Sequence, residues 1–176
     1  MVKFKSFETE RLILDPTTEE DAAFIHDLFN TPKFIKFIGD RNIHSVKKAK
    51  EYIQTKKLPQ LKRLGYSNYT VKLKQDLTRI GTCGLFDRQG VEGIDIGFAF
   101  LPEYERKGYA YESALRLKEA AFTEFGIAEI SAITTKINHS SQRLLEKLGL
   151  KLVGLTKVPD DHEELLLFKI KNLNNR

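Results

Sequence analysis

Residues 105–110, Glu-Arg-Lys-Gly-Tyr-Ala, place a short basic segment and a glycine directly after an apolar, strand-like run and directly before a helical pattern. A helix leaves its first N–H groups unpartnered, and its aligned peptide dipoles put partial positive charge at that end, so such a junction can hold a phosphate group. The main-chain N–H groups of Lys107, Gly108, Tyr109 and Ala110 converge as donors for a diphosphate. Arg106 and Lys107 add positive charge, and Gly108 removes a side chain that would obstruct close approach. The pattern GxxxxGK followed by Ser or Thr is absent, and so is GxGxxG with an acid about twenty positions further on, which argues against ATP and NAD. Because a strand, glycine turn and helix also serve ordinary α/β packing, a second signal is required.

The elements around this junction alternate without repeats or low-complexity linkers. The run 94–101, IDIGFAFL, reads as the strand that delivers the loop, and the helix after it extends from Gly108 to about Phe125. Upstream, FETERLILDP (7–16) reads as a first strand. Thr17 followed by Glu20 signals a capping box for a helix reaching Asn30, with Ala22, Phe24, Ile25, Leu28 and Phe29 on its apolar side. TPKFIKFIG (31–39) reads as a turn or short helix. Ser45 caps a second helix that ends near Pro59 or Gly65 and turns Val46, Ala49, Tyr52 and Ile53 to one face. Strands over 66–73, 79–87 and 94–101, separated by turns at 74–78 and 90–93, are expected as antiparallel neighbours. The helix after Gly108 is long enough for the crossover to a parallel strand over 129–137, and strands 150–156 and 163–170 follow, joined by the turn 158–162. The expectation is an α/β fold with a mixed sheet in one domain, residues 1–176.

The second signal follows the next strand, where EISAITTKI runs into NHSSQRLLEKLGLKLVG, residues 129–154. With the junction, this resembles the GNAT superfamily of acyl-CoA-dependent N-acetyltransferases, and within it the RimJ/RimL-like branch related to ribosomal-protein N-terminal acetyltransferases. The residues that carry the resemblance are ETERLILDP (8–16), IGFAFLPEYERKGYAYESA (96–114), and Asn138, Ser141, Glu146, Lys147, Leu148 and Gly149 in the family's order, so it covers nearly the whole chain. It departs at Glu105, where the superfamily usually has Gln or Arg. A carboxylate beside a diphosphate is unfavourable, so Glu105 is expected to point away while Arg106 and Lys107 carry the positive field.

The resemblance implies a GNAT-like acyl-CoA N-acyltransferase fold: a central, mostly antiparallel sheet flanked by helices, with a parallel strand pair that splays apart. The slot between those strands would hold the pantetheine arm of acetyl-CoA, the implied co-substrate. Phe98, Ala99, Phe100 and Leu101 would supply main-chain donors for the thioester oxygen, where this strand bulges in the superfamily. Arg106, Lys107, Gly108, Tyr109 and Ala110 would meet the diphosphate, and Asn138 a pantetheine amide.

Acyl transfer to an amine needs a neutral nitrogen beside the thioester, a stabilised oxyanion and an acceptable thiolate leaving group. An α-amino group of pKa about 8 is roughly a tenth neutral at pH 7, whereas a lysine of pKa about 10.4 is neutral less than about a thousandth of the time. Asp95, where family members commonly carry an acid, is the candidate base acting through water; its other readings are an exposed strand carboxylate or one end of an ion pair. Glu103 is a weaker candidate. Ser141 would lie near the cofactor sulfur and hydrogen-bond the leaving thiolate, although Ser140 or Ser141 could instead cap the helix.

The chain has 176 residues with 41% hydrophobic content, enough to bury one sizeable core. The single cysteine, Cys83, excludes an internal disulfide, suits a reducing compartment and reads as a small buried residue. No apolar run could span a membrane, and MVKFKSFETE lacks the apolar core of a secretory signal, so a cytoplasmic protein is expected. The four histidines lack metal-ligand spacing, and no metal is expected. Much of the net charge of +5 falls in 47–63, read as the solvated face of the second helix or as a partner-binding patch. No RNA-binding aromatic motif accompanies it, so nucleic acid enters only through a ribosomal substrate. Glu112 and Arg116, one helical turn apart, read as a surface pair.

Two function classes follow. One is an N-acetyltransferase acting on a primary amine, either a protein N-terminus or a small amine such as a polyamine, amino acid or antibiotic. The other is a non-catalytic module binding acyl-CoA or nucleic acid. Acceptor walls in the superfamily correspond to residues 30–45 and 157–163, where Phe34, Phe37 and Ile38 either line a pocket or pack a small core under the first helix. The sequence leaves the oligomeric state open, a homodimer included.

Overall fold

The computed structural model describes residues 3–159 and 161–174. In chain order the elements are β1 (Phe7–Glu8), β2 (Leu12–Pro16), α1 (Ala22–Phe29), α2 (Pro32–Phe37), α3 (Val46–Tyr52), α4 (Leu58–Leu64), β3 (Asn68–Leu73), β4 (Arg79–Phe86), β5 (Ile94–Phe100), α5 (Tyr109–Thr123), β6 (Glu129–Thr134), α6 (His139–Lys147), β7 (Lys151–Thr156) and β8 (Leu165–Lys171). All the strands join one eight-stranded sheet in the order β1-β2-β3-β4-β5-β6-β8-β7.

Helices cover both faces. On one, α5 turns Ala114, Leu117 and Ala121 to the sheet at helical spacing; the alanines let the helix sit close, and Leu14, Tyr69 and Cys83 complete the layer beneath it. On the other, Ile25, Leu28, Phe29, Phe34, Ala49 and Ile53 form a second core among α1, α2 and α3. Phe34 stacks on Phe29 with ring centres 4.2 Å apart, so it packs under α1, while Ile38 stays 37% exposed.

The crossover through α5 makes β5 and β6 parallel, as the link length requires. Their pairing comprises only Ile94 with Ile130 and Asp95 with Ser131. Beyond those residues β5 stays with β4 as far as Phe100, and β6 stays with β8 as far as Thr134. The two strands therefore part after Asp95. Gly97 to Phe100, which an unbroken central sheet would bury, are partly exposed.

Several local expectations change. FETERLILDP is a hairpin, not one strand: Thr9 N–H bonds Leu12 O at 3.0 Å, and β1 pairs back on β2. The cap of the first helical segment is Thr18 with Asp21, because the Thr17 hydroxyl is drawn into the sheet by Thr70 at 2.9 Å. The second helix is interrupted by a π-turn, Ile53–Lys57, before α4, whose first turn contains Pro59 and whose C-cap is Gly65 at φ +85°. Val46 is 47% exposed instead of facing the core. Glu112 bonds across the fold, not along its helix: Arg116 pairs with Glu124, and Glu112 with Arg11. Among the described residues no helix is long and apolar enough to cross a membrane. Of the expected turn 158–162, Asp160 lies outside the described residues.

Candidate active site

Along β5 the direction of successive N–H groups alternates, and the strand's partners fix which way each points. Leu101 N–H donates to Ile80 O at 2.9 Å, so Leu101 and Ala99 turn their N–H groups toward β4, and Phe98 and Phe100 turn theirs into the slot facing β6. The β4–β5 register runs one for one from Gly81 with Phe100 to Phe86 with Asp95. The outward N–H groups thus arise from strand alternation at a splayed edge and not from a bulge, and of the residues 98–101 only Phe98 and Phe100 turn theirs into the slot.

The α5 junction lies at the end of the same strand. Arg106 and Gly108 take left-handed conformations, φ +59° and +82°, which curl the chain so that α5 begins at Tyr109. The first helical bond is Glu112 N–H to Gly108 O at 3.0 Å, and among the described residues the N–H groups from Arg106 to Tyr111 have no partner. Lys107 Nζ sits 5.7 Å from the Tyr104 ring centre, and Glu105 is drawn away toward α2 by Lys33 Nζ. A third cation arrives from the β1–β2 turn: the Arg11 guanidinium lies 4.3 Å from the Tyr109 ring centre, and its Nη2 would be 3.3 Å from a Cβ at Gly108.

Across the slot, Asn138 caps α6. Its Oδ1 accepts from Ser141 N–H at 3.3 Å and from the Ser140 hydroxyl at 3.3 Å. Helix capping therefore falls to Asn138; the Ser141 hydroxyl and the Asn138 amide NH₂ have no partner among the described residues and stay partly exposed. Between β6 and this cap, Thr135 buries a hydroxyl that has no hydrogen-bond partner among the described residues.

Asp95 stands where β5 and β6 part and is 1% exposed. Arg88 Nε donates to both its carboxylate oxygens, at 3.2 and 3.3 Å. Burial pushes the Asp95 carboxyl up, against the opposing pull of Arg88 and Lys57. The carboxylate is enclosed and forms one end of an ion pair with Arg88. Glu103, in the short turn after β5, is exposed. The Phe86 ring occupies the space left by the missing side chains of Gly84 and Gly97, and Lys57 Nζ sits 4.3 Å from its ring centre. The turn before β5 packs on the one before β8, since a Cβ at Gly90 would lie 2.9 Å from Pro159 Cδ.

Residues 11–151 match the acetyltransferase (GNAT) domain family. The chain belongs to the GNAT family. An uncharacterized N-acetyltransferase of Bacillus subtilis strain 168, YoaA, is 29% identical over 155 residues, which are 88% of this chain and 87% of YoaA. Ribosomal-protein-S5-alanine acetyltransferase from Vibrio fischeri matches the fold with a TM-score of 0.80 at 20% identity, covering 98% of this chain and 99% of that one. Spermidine N-acetyltransferase from Vibrio cholerae, in complex with CoA and spermine, matches with a TM-score of 0.76 at 18% identity, covering 93% and 96%. As a GNAT protein the chain is an acetyl-CoA-dependent N-acetyltransferase acting on an amine acceptor, built on the mostly antiparallel sheet with one parallel pair expected from its sequence.

Arg11, Glu112, Lys57, Arg88 and Thr135 are absent from the site expected from sequence. Arg88 was within reach of sequence reasoning, because a hairpin between 87 and 94 folds position 88 back toward 95. Nothing local marks Arg11, whose partner is 101 residues away.

Proposed function

We propose that this GNAT enzyme transfers the acetyl group in one step, with acetyl-CoA and a primary amine bound together, and that the acceptor is an α-amine such as a protein N-terminus. The observation that carries this is the two-residue pairing of β5 with β6, which leaves a backbone-lined slot running to the unpartnered N-terminus of α5. In this reading the N–H groups of Lys107, Gly108, Tyr109 and Ala110, with the Arg106 and Lys107 charges, hold the diphosphate. Phe98 and Phe100 direct N–H groups at the pantetheine arm and the thioester oxygen, where donors already fixed in the sheet need no reorganisation as the oxyanion forms. The free NH₂ of Asn138 meets a pantetheine carbonyl, and the Ser141 hydroxyl donates to the departing thiolate.

Deprotonation then falls to water. With Asp95 held by Arg88, no free carboxylate stands on β5 to strip a strongly basic amine, and an α-amine, roughly a tenth neutral at pH 7, needs little help. Alignment of the two reactants supplies several kcal/mol of the barrier, up to about 7–11 in favourable cases.

The test is thiol release from acetyl-CoA with a panel of N-terminal peptides, lysine-containing peptides blocked at the N-terminus, and polyamines. One-step transfer gives intersecting initial-velocity lines and no acetylated enzyme by mass spectrometry. Parallel lines with an acetyl-enzyme would overturn the single step, and faster reaction of a polyamine than of any α-amine would overturn the acceptor.

A further inference from the structure

Asp95 engages only one corner of the Arg88 guanidinium. Both carboxylate oxygens accept from Nε, so the two terminal nitrogens, with four N–H donors, have no partner among the described residues, and the side chain is 30% exposed. A guanidinium fixed through Nε by a buried anion presents its remaining fork in one direction, and that fork matches a carboxylate in bidentate geometry.

The surroundings keep the fork cationic. Asp87, the neighbouring acid, is taken by Arg63 at 2.8 Å. Lys57 has no carboxylate partner among the described residues; its Nζ lies between the rings of Phe86 and Tyr52, 4.3 and 5.1 Å from their centres. Lys57 ends the π-turn that interrupts the helical segment here, a distortion that recurs at functional sites. Two cations thus face one carboxylate, leaving a surplus positive charge beside the apex of the slot.

Beside this charge the strand surface is apolar, since the Phe86 ring fills the space left by Gly84 and Gly97. Phe98 lies three steps along the strand from Asp95, a span on the order of 10 Å at ~3.3 Å per residue.

Building on the acetyl-transfer reading above, we infer that the acceptor is an amine carrying a carboxylate on the order of 10 Å from its nitrogen, received by the terminal nitrogens of Arg88. Asp95 is then the positioning residue that aims the fork. The same charges repel polyamines and disfavour protonation of an amine bound nearby, which favours its reactive form.

Calorimetry on the CoA-loaded protein tests this with two C-terminally amidated peptides, Ala-Glu-Ala and Ala-Gln-Ala, and with spermidine. The Glu peptide is expected to bind at least tenfold tighter than the Gln peptide, and spermidine more weakly than either. Arg88→Lys, which keeps the charge and loses the fork, should cut the Glu preference several-fold with CoA affinity unchanged. Because Asp95 is buried, the charge-free pair Arg88→Gln/Asp95→Asn serves as the second variant, its fold checked by thermal melting, and it should abolish the preference. Absence of Glu-peptide binding, equal affinity for the two peptides, or an undiminished preference in both variants overturns the inference. Thiol release with acetyl-CoA is followed separately: a carboxylate preference without release sinks the transfer reading and leaves the Arg88 assignment standing.

Discussion

Arg11 and Glu112, 101 residues apart in the chain, are joined twice: the Arg11 main-chain N–H donates to Oε1 at 2.9 Å and its Nε donates to Oε2 at 2.7 Å. The Thr9 hydroxyl adds a bond to Oε1 at 2.6 Å. These contacts strap the β1–β2 turn onto the first turn of α5, the proposed diphosphate site. An acid in a first helical turn favours the helix dipole but would repel a bound diphosphate, and the Arg11 guanidinium cancels that charge.

Arg11→Met should therefore raise the KM for acetyl-CoA about three- to tenfold, since it uncovers a carboxylate beside the phosphates, and lower stability by about 2 kcal/mol. Adding Glu112→Gln removes the uncovered charge and should restore most of the KM without restoring the melting temperature. A double variant with the KM of the single one would show that Arg11 acts on the coenzyme by another route.

The same carboxylate gives an acid-side signature. Partial burial raises the Glu112 pKa, but hydrogen bonds from Thr9 and from the Arg11 backbone and side chain, together with the Arg11 charge, outweigh it and hold the group below the ordinary carboxylate range. A depressed folded-state pKa contributes stability above the unfolded value of about 4.3, and that contribution is lost as pH falls through the folded value. Between pH 7 and about 3, melting temperature should fall less steeply for Glu112→Gln than for the wild type.

Gly81 lets β5 lie close to β4. A Cβ there would approach Ala99 O to 2.6 Å and meet the Phe100 ring, so Gly81→Ala must displace the backbone that carries the proposed oxyanion donors. It should cost about 1–3 kcal/mol and lower kcat more than it raises the KM for acetyl-CoA. Gly154→Ala, with nothing within 4 Å of the added Cβ, is the matched control and should change neither.

What the sequence disclosed follows the range of the interactions. The β5 strand, the glycine turn and the start of α5 are set by neighbours in the chain, and their composition marks them within a residue or two. The parallel crossover followed from the length of α5. Glu112 was misread because helical spacing offers Arg116, but an exposed pair at i,i+4 is worth only about 0.3–0.5 kcal/mol and yields to several bonds at a site where Glu112 is largely covered. For Asp95 the residue type leaves base and ion pair open, and the partner it meets, Arg88, reaches it through the hairpin. Its enclosure depends on strands far apart in sequence, which no local pattern encodes.

Ser141→Ala separates catalysis from capping. Asn138 accepts the Ser141 N–H and makes the cap, so loss of the Ser141 hydroxyl should leave stability within about 0.5 kcal/mol of wild type. If that hydroxyl donates to the departing thiolate, kcat should fall about tenfold with the KM for acetyl-CoA little changed, the pattern of a bond made in the transition state. Asn138→Ala should do the reverse, costing about 1 kcal/mol of stability and raising the KM. An unchanged kcat in Ser141→Ala would remove the serine from the mechanism.

Cys83 supplies a probe of β4 itself. The thiol is fully buried, and burial pushes its pKa up to about 12 against the opposing Ser113 hydrogen bond, so almost no thiolate exists near neutrality. The native enzyme should be inert to a disulfide-exchange reagent throughout a thiol-release assay, and the unfolded chain should react with one equivalent. Labelling then proceeds only through opening of β4, at a rate set by the population of the opened state when reclosing is fast. Gly81→Ala, two positions away on the same strand, should accelerate it roughly in proportion to its lost stability, about tenfold for each 1.4 kcal/mol, whereas Arg11→Met should do so only as far as the strap contributes to closing α5 over Cys83. Rapid labelling of the folded wild type would show instead that the α5 layer does not seal this thiol.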